Sequence, residues 1–161
     1  MDAVRLRELL VYDPEAGVMT RRVRVGCAAA GSPFGTRDGN GYLVGSVGNR
    51  LYRLHRLAWL YMTGEWPQGE VDHINGDRAD NRWANLRDVS KAENMQNIKR
   101  ARRDNCATGL LGASLDKRDG RYKAKIGVGG KQKHLGCFAT AQEAHEAYLA
   151  AKRQLHPGCT L

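Results

Sequence analysis

The sequence predicts an α+β protein built from short antiparallel strands and a few helices, and three observations carry that expectation. Glycine fills 19 of 161 positions, a richness that favours turns and short strands over a helical bundle. Strand-like runs bracket turn-forming pairs, as GYLVGSV and LYRL do around Gly48-Asn49. Two capping boxes, from Ser90 to Glu93 and from Thr140 to Glu143, announce helices, because hydroxyl and carboxylate each satisfy an orphan backbone N–H.

Taken in order, VRLRELL ahead of Tyr12-Asp13-Pro14 reads as a short amphipathic helix, and EAGVMTRR as a turn leading into a strand. Residues 23–41 read as irregular. Their glycines never meet a Gly-Lys-Ser/Thr sequence, so they are turn formers rather than a loop that cradles phosphate. HRLAWLYMTG has helical spacing through Leu57, Leu60 and Tyr61, with Gly64 as its stop. A strand then ends at Asp72 and His73, Asn75-Gly76-Asp77 turns the chain, and Leu86–Val89 returns. The capping boxes place helices at about 90–101 and 140–155. Between these helices lie three further strand-like runs, LLGASL, RYKAKIGV and KQKHLGCF. The expected organisation is a domain over 1–98, a basic linker over 99–107 and a small domain over 108–158.

Charge narrows the partners. The net charge is +9, and counting along the chain places +8 of it after residue 98, which points to a polyanion, most often nucleic acid. No window of 18 apolar residues exists, so no membrane span is expected, and MDAVRLRELL has no secretory signature. The chain is therefore expected inside a cell. Cys27, Cys106, Cys137 and Cys159 form no Cys-x-x-Cys pair, which argues against a zinc finger and for reduced thiols.

The most informative stretch is VDHINGDRADNRWANLRDVSKAENMQN, residues 71–97. It would bring two strands and a helix together at Asp72, His73, Asn85 and Asn94. Carboxylate and amide oxygens suit a hard ion such as Mg²⁺, which keeps waters and takes few protein ligands. A neutral imidazole beside that ion can take a proton from water near neutral pH, which is equipment for hydrolysing a phosphodiester. This stretch resembles the HNH family of nucleases, of the ββα-metal fold, and the preceding YRLHRLAWLYMTGEWPQGEV resembles the lead-in of phage-borne HNH homing endonucleases. The resemblance implies that His73 is the general base, that Asp72 and Asn94 bind one divalent metal (Mg²⁺, with Mn²⁺ as the alternative), and that Asn85 orients the histidine. The third motif position is Asn where many members have His, a substitution that homing members share. Asn75 and Asn81 read as turn formers, Asp77, Asp80 and Asp88 as capping or solvated groups, and His55 and Arg56 as packing and solvated surface. Asn97 reads equally as support behind the site or as a solvated side chain.

KRARRDNCATG puts four cations, Lys99, Arg100, Arg102 and Arg103, into five positions with no apolar period, as a linker contacting nucleic acid does. Beyond it, strand alternation turns Ala113, Leu115, Tyr122, Ala124, Ile126 and Leu135 inward. It turns Ser114, Asp116, Lys123, Lys125, Gln132 and His134 outward. Ala144, Ala147, Tyr148 and Ala151 share the helix face that covers the sheet. Residues 109–151 resemble the ethylene-response-factor (Apetala-type) DNA-binding domain, most strongly in LGCFATAQEAHEAY. The resemblance implies groove contacts at Ser114, Asp116, Lys125, Gln132 and His134 and a turn contact near Arg118, although several of that family's arginines and tryptophans are absent. Arg121 and Lys123 complete the expected DNA-binding set. The expected protein is a metal-dependent endonuclease of a phage or prophage, acting on double-stranded DNA as a monomer, with no membrane or small-molecule substrate. A non-catalytic DNA-binding regulator and a restriction nuclease are the alternatives.

Overall fold

A computed structural model describes residues 1–99, 101, 105 and 107–160, in two compact units, Met1–Lys91 and Ala92–Leu161. The fold is α+β, as the sequence predicts, and every sheet is small and antiparallel.

The first unit starts with helix α1 (Ala3–Leu9), capped by the Asp2 carboxylate, which accepts from the Arg5 amide at 2.8 Å. Strands β1 (Leu10–Asp13) and β2 (Val18–Arg21) follow as a hairpin. The sequence reading missed β1, because its LVYD continues the apolar run of the preceding helix and only pairing with β2 extends it. Residues 23–41 are irregular apart from the short β3 (Thr36–Arg37), which pairs with β4 (Leu43–Val47). The expected hairpin joins β4 to β5 (Arg50–Arg53). Gly48 and Asn49 both have positive φ, 56° and 62°, the backbone of the two-residue turns whose twist matches paired strands. Helix α2 (Leu54–Thr63) stops at Gly64, whose φ of 86° lets its N–H reach Leu60 O.

One apolar core serves this unit. Ala3 and Leu6 of α1, Leu10 and Tyr12 of β1, Met19, Phe34, and Leu54, Leu57, Ala58 and Leu60 of α2 meet Val71 and Leu86. Val71 and Leu86 lie on β6 (Glu70–His73) and β7 (Leu86–Val89), an antiparallel ribbon that pairs Asp72 with Arg87 and His73 with Leu86. The core therefore anchors the two strands that carry the motif.

Helix α3 spans only Lys91–Gln96, shorter than the expected 90–101. The Asn97 amide closes a turn on Asn94 O at 3.1 Å, and the Asn97 side chain accepts from Thr160 Oγ1 at 2.5 Å. Asn97 is thus buried, not solvated, and its tie to the C-terminal tail replaces the next helical turn.

In the second unit β8 (Ala113–Leu115), β9 (Tyr122–Val128) and β10 (Lys131–Phe138) form one sheet with β9 in the middle. Helix α4 (Ala141–Leu155) carries the full capping box expected of Thr140 and Glu143. Ala113, Ala124 and Ala144 meet at the centre, and the small side chains let helix and sheet approach closely. Gly112 is required there, since a Cβ would sit 2.0 Å from Tyr148 Cγ. The predicted parity holds at the centre of the sheet, where Ala113, Ala124 and Ile126 are buried while Ser114 and Lys125 are exposed, but on β10 Lys131, Gln132, Lys133 and His134 are all exposed and a bulge shifts the register between His134 and Gly136. Among the described residues, no helix is long and apolar enough to cross a membrane.

Candidate active site

Asp72 and His73 end β6 and are both buried, at 8% and 4% exposure. Register sets the surroundings of Asp72: Arg87, directly opposite on β7, donates from Nε at 3.0 Å and Nη2 at 2.8 Å to Asp72 Oδ2. A half-buried carboxylate–guanidinium pair of this kind fixes the orientation of the carboxylate.

The loop from Ile74 to Asn85 folds back on itself through asparagines. Ile74 N reaches Asn85 O at 2.9 Å, Asn75 N reaches Asn85 Oδ1 at 2.9 Å, and Asn85 Nδ2 donates to Asn75 Oδ1 at 3.0 Å and to Asp80 O at 2.7 Å. Asn75 Nδ2 and Arg82 bind the Asp80 carboxylate. The Arg82 hydrogen bond is the main reason its pKa falls to about 2. Asn85 therefore braces the loop. The expected role of orienting the histidine ring falls in this structure to Asn81, whose Oδ1 lies 3.0 Å from His73 Nε2. An amide oxygen only accepts, so in this arrangement His73 Nε2–H is the donor to Asn81 Oδ1.

Asn81 is itself fixed from outside the motif. It is 2% exposed, and its carbonyl oxygen accepts from the Tyr12 hydroxyl at 2.6 Å. Burial, ahead of nearby Asp13 and Asp80, pushes the Tyr12 pKa up to about 12, which keeps that hydroxyl a donor. Trp83 N donates to Pro14 O at 2.9 Å, and a Cβ on Gly17 would lie 2.4 Å from Arg82 N. The β1–β2 hairpin thus presses on the loop that holds His73. Neither Tyr12 nor Asn81 was singled out as a site residue by the sequence, because an asparagine in a turn-rich loop has an ordinary local role and the Tyr12 contact spans 69 positions.

His55 is the second unexpected neighbour. It is 3% exposed, its ring meets His73 edge-on at 4.9 Å between centroids, and its Nδ1 is buried with no hydrogen-bond partner. Burial first, then electrostatic interaction with His73, Arg53 and Arg56, pushes its pKa down to about 3, so it is a neutral wall. Tyr42 packs on both rings, at 5.3 Å from His55 and 6.1 Å from His73.

Among the described residues, no three His, Cys, Asp or Glu side chains stand together as a metal holder. Mg²⁺ does not need such a cluster, and a buried carboxylate with no thiolate beside it suits a hard cation better than zinc. Asn94, the other expected ligand, is on α3 in the second unit.

The expected DNA-binding side chains differ in how far their charges are committed. Lys99 Nζ reaches Thr160 O at 3.5 Å, and Arg100, Arg102 and Arg103 lie outside the described residues. Lys123 is ion-paired with Asp116, which also binds Arg118 at 3.4 Å, and Arg121 donates to Cys137 O at 3.0 Å. Lys125 and Gln132 are exposed, and exposed His134 on β10 is the cross-strand partner of Lys125 on β9.

Residues 52–96 match the family model described as HNH endonuclease. The matched stretch runs from β5 through the end of α3 and includes His55, Asp72, His73, Asn81, Asn85 and Asn94. No curated protein and no solved structure matches the chain.

Proposed function

We propose that the chain is a metal-dependent endonuclease that hydrolyses phosphodiester bonds in double-stranded DNA. The observation that carries this reading is a buried histidine at the end of β6, held at Nε2 by Asn81 and walled by neutral His55, inside the stretch that matches HNH endonucleases. With Nε2–H engaged, Nδ1 of His73 takes the proton of the attacking water. Asn81 keeps the ring in that tautomer, and the Tyr12 hydroxyl keeps Asn81 in place. Arg87 holds the Asp72 carboxylate. Asp72 and Asn94 are the proposed ligands of Mg²⁺, with Mn²⁺ as the alternative. A divalent cation bound there supplies charge stabilisation to the phosphate and the leaving oxygen.

The second unit is proposed to hold DNA through Lys125, Gln132 and His134 on the exposed side of its sheet, in the manner of the Apetala-type domains it resembles. A narrow sheet can enter the major groove. A phage or prophage homing role and a monomeric state complete the reading. Cleavage of a defined duplex by the purified chain in Mg²⁺ tests it. His73→Ala is expected to lose at least about 10²-fold in rate while keeping its affinity for DNA. Cleavage by this variant at the wild-type rate would remove His73 from the mechanism, and DNA binding with no metal-stimulated cleavage by the wild type would make the chain a regulator.

A further inference from the structure

Two arginines beside His73 are left without a role in this chemistry. Arg53 ends β5 and Arg78 lies in the loop between β6 and β7, and both guanidinium groups sit over the ring of Tyr42, at 4.5 Å and 4.9 Å from its centroid. Tyr42 is the residue packed against His73 and His55. Two like charges are thus gathered on one ring at the edge of the site.

Neither charge is neutralised within the unit. Arg82 and Arg87, the arginines on either side of the loop's end, are each paired with a carboxylate. Among the described residues Arg53 and Arg78 have no ion-pair partner, although two aspartates lie close in the chain to Tyr42 and Arg78. Asp38 uses Oδ1 on the amides of Asn40 and Tyr42, at 2.8 and 2.9 Å, and Asp77 uses Oδ1 on the amide of Ala79 at 3.0 Å. Arg78 spends one N–H on Asn40 O at 2.9 Å. Both arginines are exposed. A guanidinium stacked by its plane keeps its edge donors available, and that edge matches the oxygens of a phosphate.

We propose that Arg53 and Arg78, presented by Tyr42, form a clamp that holds the DNA backbone beside the bond attacked from His73. This rests on the nuclease reading and adds a substrate-positioning element to it. The ring supplies orientation and the pair supplies charge. Cations gathered without a counter-ion repel each other until an anion arrives, and the backbone of the substrate is that anion.

The test uses the full chain and a short duplex, with equilibrium binding measured in EDTA over a range of KCl concentration and cleavage kinetics measured in Mg²⁺. Arg53→Gln and Arg78→Gln are each expected to lower the log–log salt slope by about 0.9, and the double variant by about twice that, because each phosphate contact releases counterions. KM should rise several-fold with kcat within about twofold of wild type, as for lost uniform binding. Arg53→Lys should restore most of the slope, and Arg24→Gln, an exposed arginine held to Gly26 O, should leave the slope unchanged. A double variant with the wild-type slope and KM overturns the clamp, as does an equal loss of slope in Arg24→Gln. His73→Ala in the same assays separates the two ideas. Cleavage retained there removes His73 from the mechanism, absence of metal-stimulated cleavage by the wild type defeats the nuclease reading whatever the arginines do, and an unchanged slope in the arginine variants defeats the clamp while the nuclease reading stands.

Discussion

In the proposed mechanism Asn81 selects which nitrogen of His73 is basic. Replacing it by alanine removes the acceptor of Nε2–H and is expected to slow cleavage by at least about tenfold, with DNA affinity unchanged, since tautomer and ring angle affect the transition state more than the ground state. Single-turnover cleavage beside equilibrium binding checks this, and a parallel loss in both would reduce Asn81 to a folding role. His55 makes a separate prediction about stability. Its pKa of about 3 in the folded protein lies well below the ordinary value near 6.5, so the unfolded chain binds the extra proton as pH falls between the two. Stability from this group is therefore complete above about pH 6.5 and is lost towards pH 3, at up to about 1.4 kcal/mol per pH unit. Urea denaturation from pH 7 to pH 4 should show a shallower decline for His55→Phe than for wild type. Parallel declines would mean that His55 is not held neutral by burial.

The element that matters most to the site lies outside the motif. The β1–β2 hairpin reaches the His73 loop through Tyr12 and Pro14 and through the close approach of Gly17. Tyr12→Phe leaves Asn81 O without its buried partner and should cost about 1–3 kcal/mol, with cleavage falling further than binding. Gly17→Ala should destabilise by more than about 1 kcal/mol, because φ is 71° and the new Cβ meets backbone. Thermal denaturation measures both, and a wild-type midpoint for either would show that the hairpin does not brace the loop. The contrast with the second hairpin explains what was legible in the sequence. Gly48-Asn49, the Gly64 stop, the Thr140–Glu143 box and the alternation along β9 are local signals, read within a few residues. The strand identity of Leu10–Asp13, the early end of α3 at Asn97 and the placing of Asn81 against His73 are decided by partners elsewhere in the chain. The dense motif marked Asp72 and His73, which the fold keeps side by side at the end of β6, and the family resemblance assigned Asn85 to the ring because motif order does not show which asparagine of a folded loop meets the imidazole.

For the whole molecule, charge is the quantity to test. Of the net +9, +8 follows residue 98, so the proposed DNA-binding role of the second unit predicts a strong dependence of affinity on salt. The structure separates two lysines that look equivalent in sequence. Lys125→Gln should lower the log–log slope by about 0.9, whereas Lys123→Gln should lower it less, because Lys123 already faces Asp116. Equal effects from the two would mean that the ion pair opens when DNA binds. The Tyr12–Asn81 bond bears on the ancestry of the chain as well. The recognisable stretch begins at residue 52, yet the ring it must orient is steadied from residue 12. A lineage that moved only the recognisable stretch into another protein would carry the proposed chemistry without its brace. Transplants of residues 52–96 should therefore hold the His73 ring only when the first fifty residues travel with them.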